Sequence, residues 1–166
     1  MAVDMFLKLG SIKGESQDEK HKWEIDVLSW SWGYTQTGTT HSAGGGPSGG
    51  PAGKASIQDL NFTHWVDLAS AELGYGCLSG THFPEAMLTV RKAGGRGGPI
   101  EYVKIKLNNI IITNVTMSGS HGGEQLAESV TLNFQKFEYQ YTQQMNDGSS
   151  GAKPRFGWDI ATNKKL

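Results

Sequence analysis

Most of this chain alternates apolar and polar residues with a period of two, and that pattern constrains the fold more than any other feature. A strand puts successive side chains on opposite faces, so such a run can bury one face and wet the other. Val3, Met5, Leu7 and Leu9 alternate in this way. So do Trp23, Ile25 and Val27, after which the phase flips to Leu28, Trp30 and Trp32. A one-residue flip predicts a β-bulge or a strand buried on both sides. Further strands are predicted around Leu60–Val66, Ala86–Val90, Val103–Leu107, Ile110–Met117, Val130–Phe134, Phe137–Tyr141 and Phe156–Ile160. The step from Phe134 to Phe137 is a second flip.

One segment breaks the period. Ser70-Ala71-Glu72-Leu73 opens a stretch ending at Ser79-Gly80. Ser70 is a suitable N-cap, Glu72 an acid in the first turn, and Gly80 a suitable residue just past the end. Leu73 and Cys77 fall on one helical face. Gly74 and Gly76 oppose helix formation by about 1 kcal/mol each. The expectation is one short helix in an otherwise all-β chain.

Composition enters through glycine. Of 166 residues, 23 are glycine, about twice the usual ~7%. They gather between the predicted strands, most densely in Thr35–Lys54. That stretch reads as a long flexible loop unable to pack on itself. Gly94–Gly98 reads as a hairpin connection, and Gly119–Gly123 and Asp147–Gly151 as further loops. The chain is expected to form one domain over 1–166.

Charge and motifs exclude several functions. Fifteen Lys and Arg face sixteen Asp and Glu, scattered along the chain. No basic field for nucleic acid is present. The densest charged stretch, Lys13–Asp26, mixes both signs and reads as a solvated face. No apolar run is long enough to span a membrane. Cys77 is the only cysteine, so no internal disulfide forms. His21, His41, His64, His82 and His121 lack metal-ligand spacing. No metal or cofactor is expected. His64, following Phe62 on an apolar face, reads as a core histidine. Gly46-Pro47-Ser48-Gly49-Gly50 matches a nucleophile elbow formally, but lacks the strand before and helix after that the elbow requires. A hydrolase using Ser48 is therefore disfavoured, and no catalytic residue is assigned. Met1-Ala2-Val3-Asp4 opens no secretory leader, so export would need a route that accepts the folded protein.

Five stretches in order carry a resemblance. They are Phe6-Leu7-Lys8-Leu9 with Ile12-Lys13-Gly14-Glu15-Ser16, then Val27-Leu28-Ser29-Trp30-Ser31-Trp32-Gly33, Asp59-Leu60-Asn61-Phe62-Thr63, Arg91-Lys92-Ala93-Gly94-Gly95, and Val130-Thr131-Leu132-Asn133-Phe134. With these the chain resembles the Hcp family, the tube proteins of bacterial type VI secretion systems, over essentially its whole length. The helix departs slightly from that family, where many members begin it Ser-Pro and this chain has Ser70-Ala71.

The resemblance implies a mainly β fold: a compact antiparallel β-barrel of two packed sheets with one short flanking α-helix, like a phage tail tube. It implies a homohexameric ring, rings stacked into a hollow tube, sheath and spike proteins as partners, and small effector proteins carried in the lumen. It also implies residence in the bacterial cytoplasm before firing and secretion afterwards, with any toxin held non-covalently. A phage-type tail tube protein outside type VI secretion is the alternative.

Within that frame, Thr39, Thr40, His41, Gly44, Gly45, Gly46, Pro47, Gly49, Gly50 and Pro51 are the ring-stacking candidates. Ser129, Thr131, Asn133 and Gln135, the polar face of one strand, are the lumen candidates.

Overall fold

A computed structural model describes residues 3–38, 53–95 and 97–166. Its elements run β1 (Val3–Leu9), β2 (Ile25–Asp26), β3 (Ser29–Ser31), β4 (Tyr34–Thr35), β5 (Ser56–Ile57), β6 (Leu60–Trp65), α1 (Ser70–Ser79), β7 (His82–Lys92), β8 (Ile100–Ser118), β9 (Ala127–Tyr141), β10 (Arg155–Asp159) and β11 (Lys164–Lys165). Every pairing is antiparallel.

The long hairpin β8–β9 organises the molecule. Four predicted strands, 103–107, 110–117, 130–134 and 137–141, are in fact its two arms. The first half of β9 pairs with β6, which pairs with β3. The second half pairs with β10. On the opposite side, the first part of β8 pairs with β7, then β1, then β2. One hairpin thus belongs to two sheets, and the fold is the expected mainly β one. Among the described residues the ladder runs from β11 to β2, with β6 and then β3 branching from β9, and does not close into a barrel.

Both phase flips mark the passage between sheets. At 134–137, β9 exchanges β6 for β10 as partner. Phe134 and Phe137 are both buried, although three residues apart in one strand. Opposite them in β8, Asn109 adopts φ 53° and its Nδ2 donates to Gln135 Oε1 at 2.9 Å. A left-handed residue there lets both arms turn their apolar faces together. The flip after Val27 is a strand break. Ile25–Asp26 pairs with β1, whereas Ser29–Ser31 pairs with β6.

The core lies between the two sheets. Leu7, Leu9, Leu60, Phe62, Leu88, Ile105, Leu107, Ile110, Val130 and Leu132 are fully buried in it. Each such large side chain contributes about 1.5–3 kcal/mol relative to exposure. Helix α1 closes one side through Ala69 and Leu73. Gly76 faces Phe83 and Ile112 so closely that a Cβ would come within 3.1 Å of the Phe83 ring. That approach explains a glycine that helix propensity disfavours. Gly80 ends the helix in the left-handed conformation, as expected.

The expected N-cap is corrected. Ala69 occupies that position, and no side chain caps the helix. Ser70 has moved one residue inside. Its Oγ accepts from the Asp67 amide at 3.0 Å and donates to Glu128 Oε2 at 2.8 Å.

The charged stretch Lys13–Asp26, expected as a solvated face, is also corrected, because it is only partly one. Its ring of His21 stacks on Phe6 at 4.4 Å, with Arg91 on the Phe6 ring at 5.0 Å. Arg91 donates to Asp18 Oδ1 at 3.1 Å and to Asp4 Oδ2 at 3.0 Å. Hydrogen bonding from Arg91 holds the Asp18 carboxyl down to about 2. His21 places Nδ1 2.9 Å from Glu24 and Nε2 2.8 Å from Glu101. Burial alone would push Glu101 up, but Lys104 and His21 outweigh it and hold its carboxyl below the ordinary range. Charge patterning could not show that these residues fold back onto the sheet, since Arg91 lies 73 positions from Asp18 and Glu101 lies 80 from His21.

Candidate functional site

Strands β3, β6, β9 and the end of β8 lie side by side, and their register aligns residues across the sheet. Ser29, Thr63, Ser129 and Thr116 form one row; Ser31, Asn61, Thr131 and Asn114 form the next. Between these rows, Trp30, Phe62, Val130 and Val115 point to the core side. The four predicted lumen residues therefore share one face of β9, and all are half-buried or exposed.

Three neighbours hold them. Asn61 Nδ2 donates to Ser129 Oγ and Thr131 Oγ1, both at 3.0 Å. Asn133 Nδ2 donates to Asp59 Oδ1 at 2.8 Å. Asn109 donates to Gln135, as described. Ser29 and Thr63 share a hydroxyl contact of 2.6 Å. Single-strand reading named the β9 residues and missed Ser29, Ser31, Asn61, Thr63, Asn114 and Thr116. Their alternation was visible in the sequence, but the register that joins them was not.

The two rows contain no charge. Small hydroxyl and amide groups can donate and accept in any direction, and several are already bonded to each other. Such rows can offer hydrogen bonds to polar groups of many kinds, with no ion pair that would select one of them.

A histidine and a carboxylic side chain lie together on the core side of the same sheet. His64 and Glu128 are 0% and 1% exposed, with Nε2 2.9 Å from Oε2. Asp67 Oδ2 stands 3.7 Å from Nδ1. Neither ring nitrogen makes a well-aligned hydrogen bond. His64 is thus the core histidine expected. Ser70 donates to Glu128 and not to the imidazole, so the trio is not arranged as a nucleophile relay, which requires the base beside the hydroxyl. Among the described residues, no cluster of three or more His, Cys, Asp or Glu could hold a metal ion. No helix there is long and apolar enough to cross a membrane. The ring-stacking candidates from Thr39 to Pro51, and Ser48 with them, lie outside the described residues.

A family model described as the type VI secretion system effector Hcp matches residues 6–141. The chain belongs to the Hcp family. Protein hcp1 of Pseudomonas aeruginosa is 46% identical over 164 residues, covering 98% of each chain. The crystal structure of Hcp1 from Salmonella typhimurium is 40% identical, with a TM-score of 0.81 and complete coverage of both chains. A structure described as a type six secretion system protein reaches a TM-score of 0.90 at 30% identity, covering 99% of this chain and 100% of the other. The resemblance of the five short stretches is therefore membership over nearly the full length. In this Hcp chain, the uncharged face spans both arms of the hairpin and the sheet beside it.

Proposed function

We propose that this chain is the tube subunit of a type VI secretion system. Six copies close a ring, the rings stack into a hollow tube, and the tube is secreted with its spike by a contracting sheath. Small effector proteins ride in the lumen, contacting Ser129, Thr131, Asn133 and Gln135 together with Ser29, Ser31, Asn61 and Thr63. The role is structural and involves no catalytic residue or cofactor. The chain resides in the cytoplasm before firing and outside the cell afterwards.

Family membership over 98% of the chain carries this reading. The two uncharged rows, through Ser129 and Thr131, support the lumen assignment, because a channel for varied cargo is served by contacts that do not demand one partner's charge pattern. The loop from Thr35 to Lys54 is the stacking device of this proposal. A glycine-rich segment orders on docking and gives up that conformational freedom at the ring face.

Negative-stain imaging and light scattering test both parts. Wild type is expected as rings that stack at high concentration. A variant lacking Gly44–Gly53 is expected as rings that stack poorly. A strict monomer at high concentration would sink the tube reading; undiminished stacking in the variant would sink the loop's role alone.

A further inference from the structure

Two glycine-bearing loops with no part in the proposed tube contacts meet at the open end of the β8–β9 hairpin. One, Gly94–Gly98, joins β7 to β8; the other, Asp147–Gly151, follows β9. Backbone packs on backbone where they meet. A Cβ at Gly95 would stand 2.7 Å from the Asp147 carbonyl oxygen, and one at Gly148 2.5 Å from the Gly95 nitrogen. Beside this contact lies a cleft of about 630 Å³, a size suited to a small molecule. We infer that the cleft binds the phosphate group of a small free molecule. The site is complete within one chain and does not depend on ring formation.

Its charge is mainly positive. Lys20, Lys104 and Lys153 reach it from three separate segments, and Glu101 is the single acid in the lining. Both Glu101 oxygens are engaged: Oε2 stands 2.7 Å from Lys104 Nζ, and Oε1 2.8 Å from His21 Nε2. Among the described residues, neither Lys20 nor Lys153 forms a salt bridge. Asp147 turns back onto its own loop, accepting from the Ser149 amide at 2.9 Å and hydroxyl at 2.6 Å. A cleft lined by one sign of charge concentrates the opposite ion.

A buried hydroxyl points to the ligand more specifically. Thr142 is the one buried residue in the lining, only 5% exposed. Its amide donates to the Tyr102 carbonyl at 2.8 Å. The flanking amides of Tyr141 and Gln143 donate to Pro154 and Ala152, at 3.0 and 2.8 Å, on either side of Lys153. The backbone is thus fixed, yet among the described residues the Thr142 hydroxyl forms no hydrogen bond. Buried polar groups ordinarily have a partner, and an anionic oxygen would be one. Gln140 and Ser150 add an amide and a second hydroxyl to the lining. A phosphate group has enough oxygens to accept from several such donors and to face two lysines at once, and lysine serves phosphate as a point charge.

Isothermal titration calorimetry with sodium pyrophosphate tests this on the full chain, with ionic strength matched by sodium chloride. Wild type is expected to bind one pyrophosphate per chain. Lys20→Gln and Lys153→Gln, both at exposed positions, should each weaken binding roughly tenfold. Lys8→Gln, on β1 and outside the cleft, should leave it unchanged. Thr142→Val should also weaken binding roughly tenfold, yet not lower the urea midpoint of the unliganded protein, since the lost hydroxyl had no partner there. The two lysine variants decide the question should Thr142→Val unfold. Vesicles of phosphatidic acid offer the same group on a lipid and are expected not to displace pyrophosphate. No saturable binding beyond the chloride control would overturn the inference. So would unchanged affinity in Lys153→Gln or in folded Thr142→Val, an equal loss in Lys8→Gln, a lowered midpoint in Thr142→Val, or displacement by the vesicles.

Discussion

Helix α1 carries two glycines, two residues apart, whose replacement by alanine should act in opposite directions. At Gly74 a Cβ meets nothing within 4 Å. Alanine there gains the helix propensity that glycine lacks, about 1 kcal/mol. At Gly76 the same atom comes within 3.1 Å of Phe83 Cζ and 3.3 Å of Ile112 Cδ1. Ile112 is only 2% exposed and tied into β8, so it cannot retreat into solvent. Overpacking of this kind costs about 1–3 kcal/mol, which cancels or exceeds the propensity gain. The two variants should therefore differ by about 2 kcal/mol although both exchange glycine for alanine in one helix. Urea denaturation followed by tryptophan fluorescence resolves this. With a slope of about 2 kcal/mol per molar, the midpoints separate by about 1 M. Protein concentration must be matched, because association linked to folding shifts the midpoint. Equal stabilisation by both substitutions would refute the close packing of α1 on β8 and Phe83.

Two further predictions concern charge. The Asp18 carboxyl is held down to about 2 in the folded chain, so its contribution is complete above its ordinary pKa near 4 and is lost as pH falls through about 2. The full shift corresponds to roughly 2.5 kcal/mol, but the side chain is 23% exposed, and screening reduces this to about 1 kcal/mol. Asp18→Asn should cost that amount at neutral pH and flatten the loss of stability between pH 4 and 2; an unchanged acid profile counts against the Arg91 network. Replacing either His64 or Glu128 alone by leucine should cost about 1–3 kcal/mol, while the double replacement should cost less than the sum of the two, because no polar group is left buried opposite an apolar one. Additive losses in urea denaturation would show that the pair is not coupled.

Much of the fold was legible because strands and helices leave different periods in a sequence. Leu60–Trp65 alternates cleanly, and Val3–Leu9 and Arg155–Asp159 form strands close to where alternation puts them, although Phe6 and Asp159 are buried out of phase. Gly80 ended the helix where its conformational freedom suits it. The flips at Val27 and at Phe134–Phe137 were visible as well, but local pattern could not say what they were. One is a break between two strands and the other a turn within a long one. The difference lies in partners 18 to 72 positions away: Leu7 for Ile25, Phe62 for Trp30, Leu60 for Leu132 and Trp158 for Phe137.

The same limit applied to the candidate face. Ser129, Thr131, Asn133 and Gln135 read as polar from β9 alone. Their bonds to Asn61, Asp59 and Asn109 required the pairing of β6 with β9 and of β8 with β9. The N-terminal excursion shows the converse error: charged residues look solvated when their partners are unseen, and Asp18 and His21 are held by Arg91, Phe6 and Glu101.

By itself, then, the sequence determined that this chain forms strands with one short helix, that glycine fills the connections, and that five ordered stretches belong with the Hcp tube proteins. Those properties rest on neighbouring residues, where steric preference and side-chain alternation act. The tertiary structure alone decided which strands share a sheet, that His64 and Glu128 are buried beneath two rows of small polar residues, and that Asp18 and His21 fold back onto Arg91, Phe6 and Glu101. Those depend on register between distant segments, set by the packing of a common core.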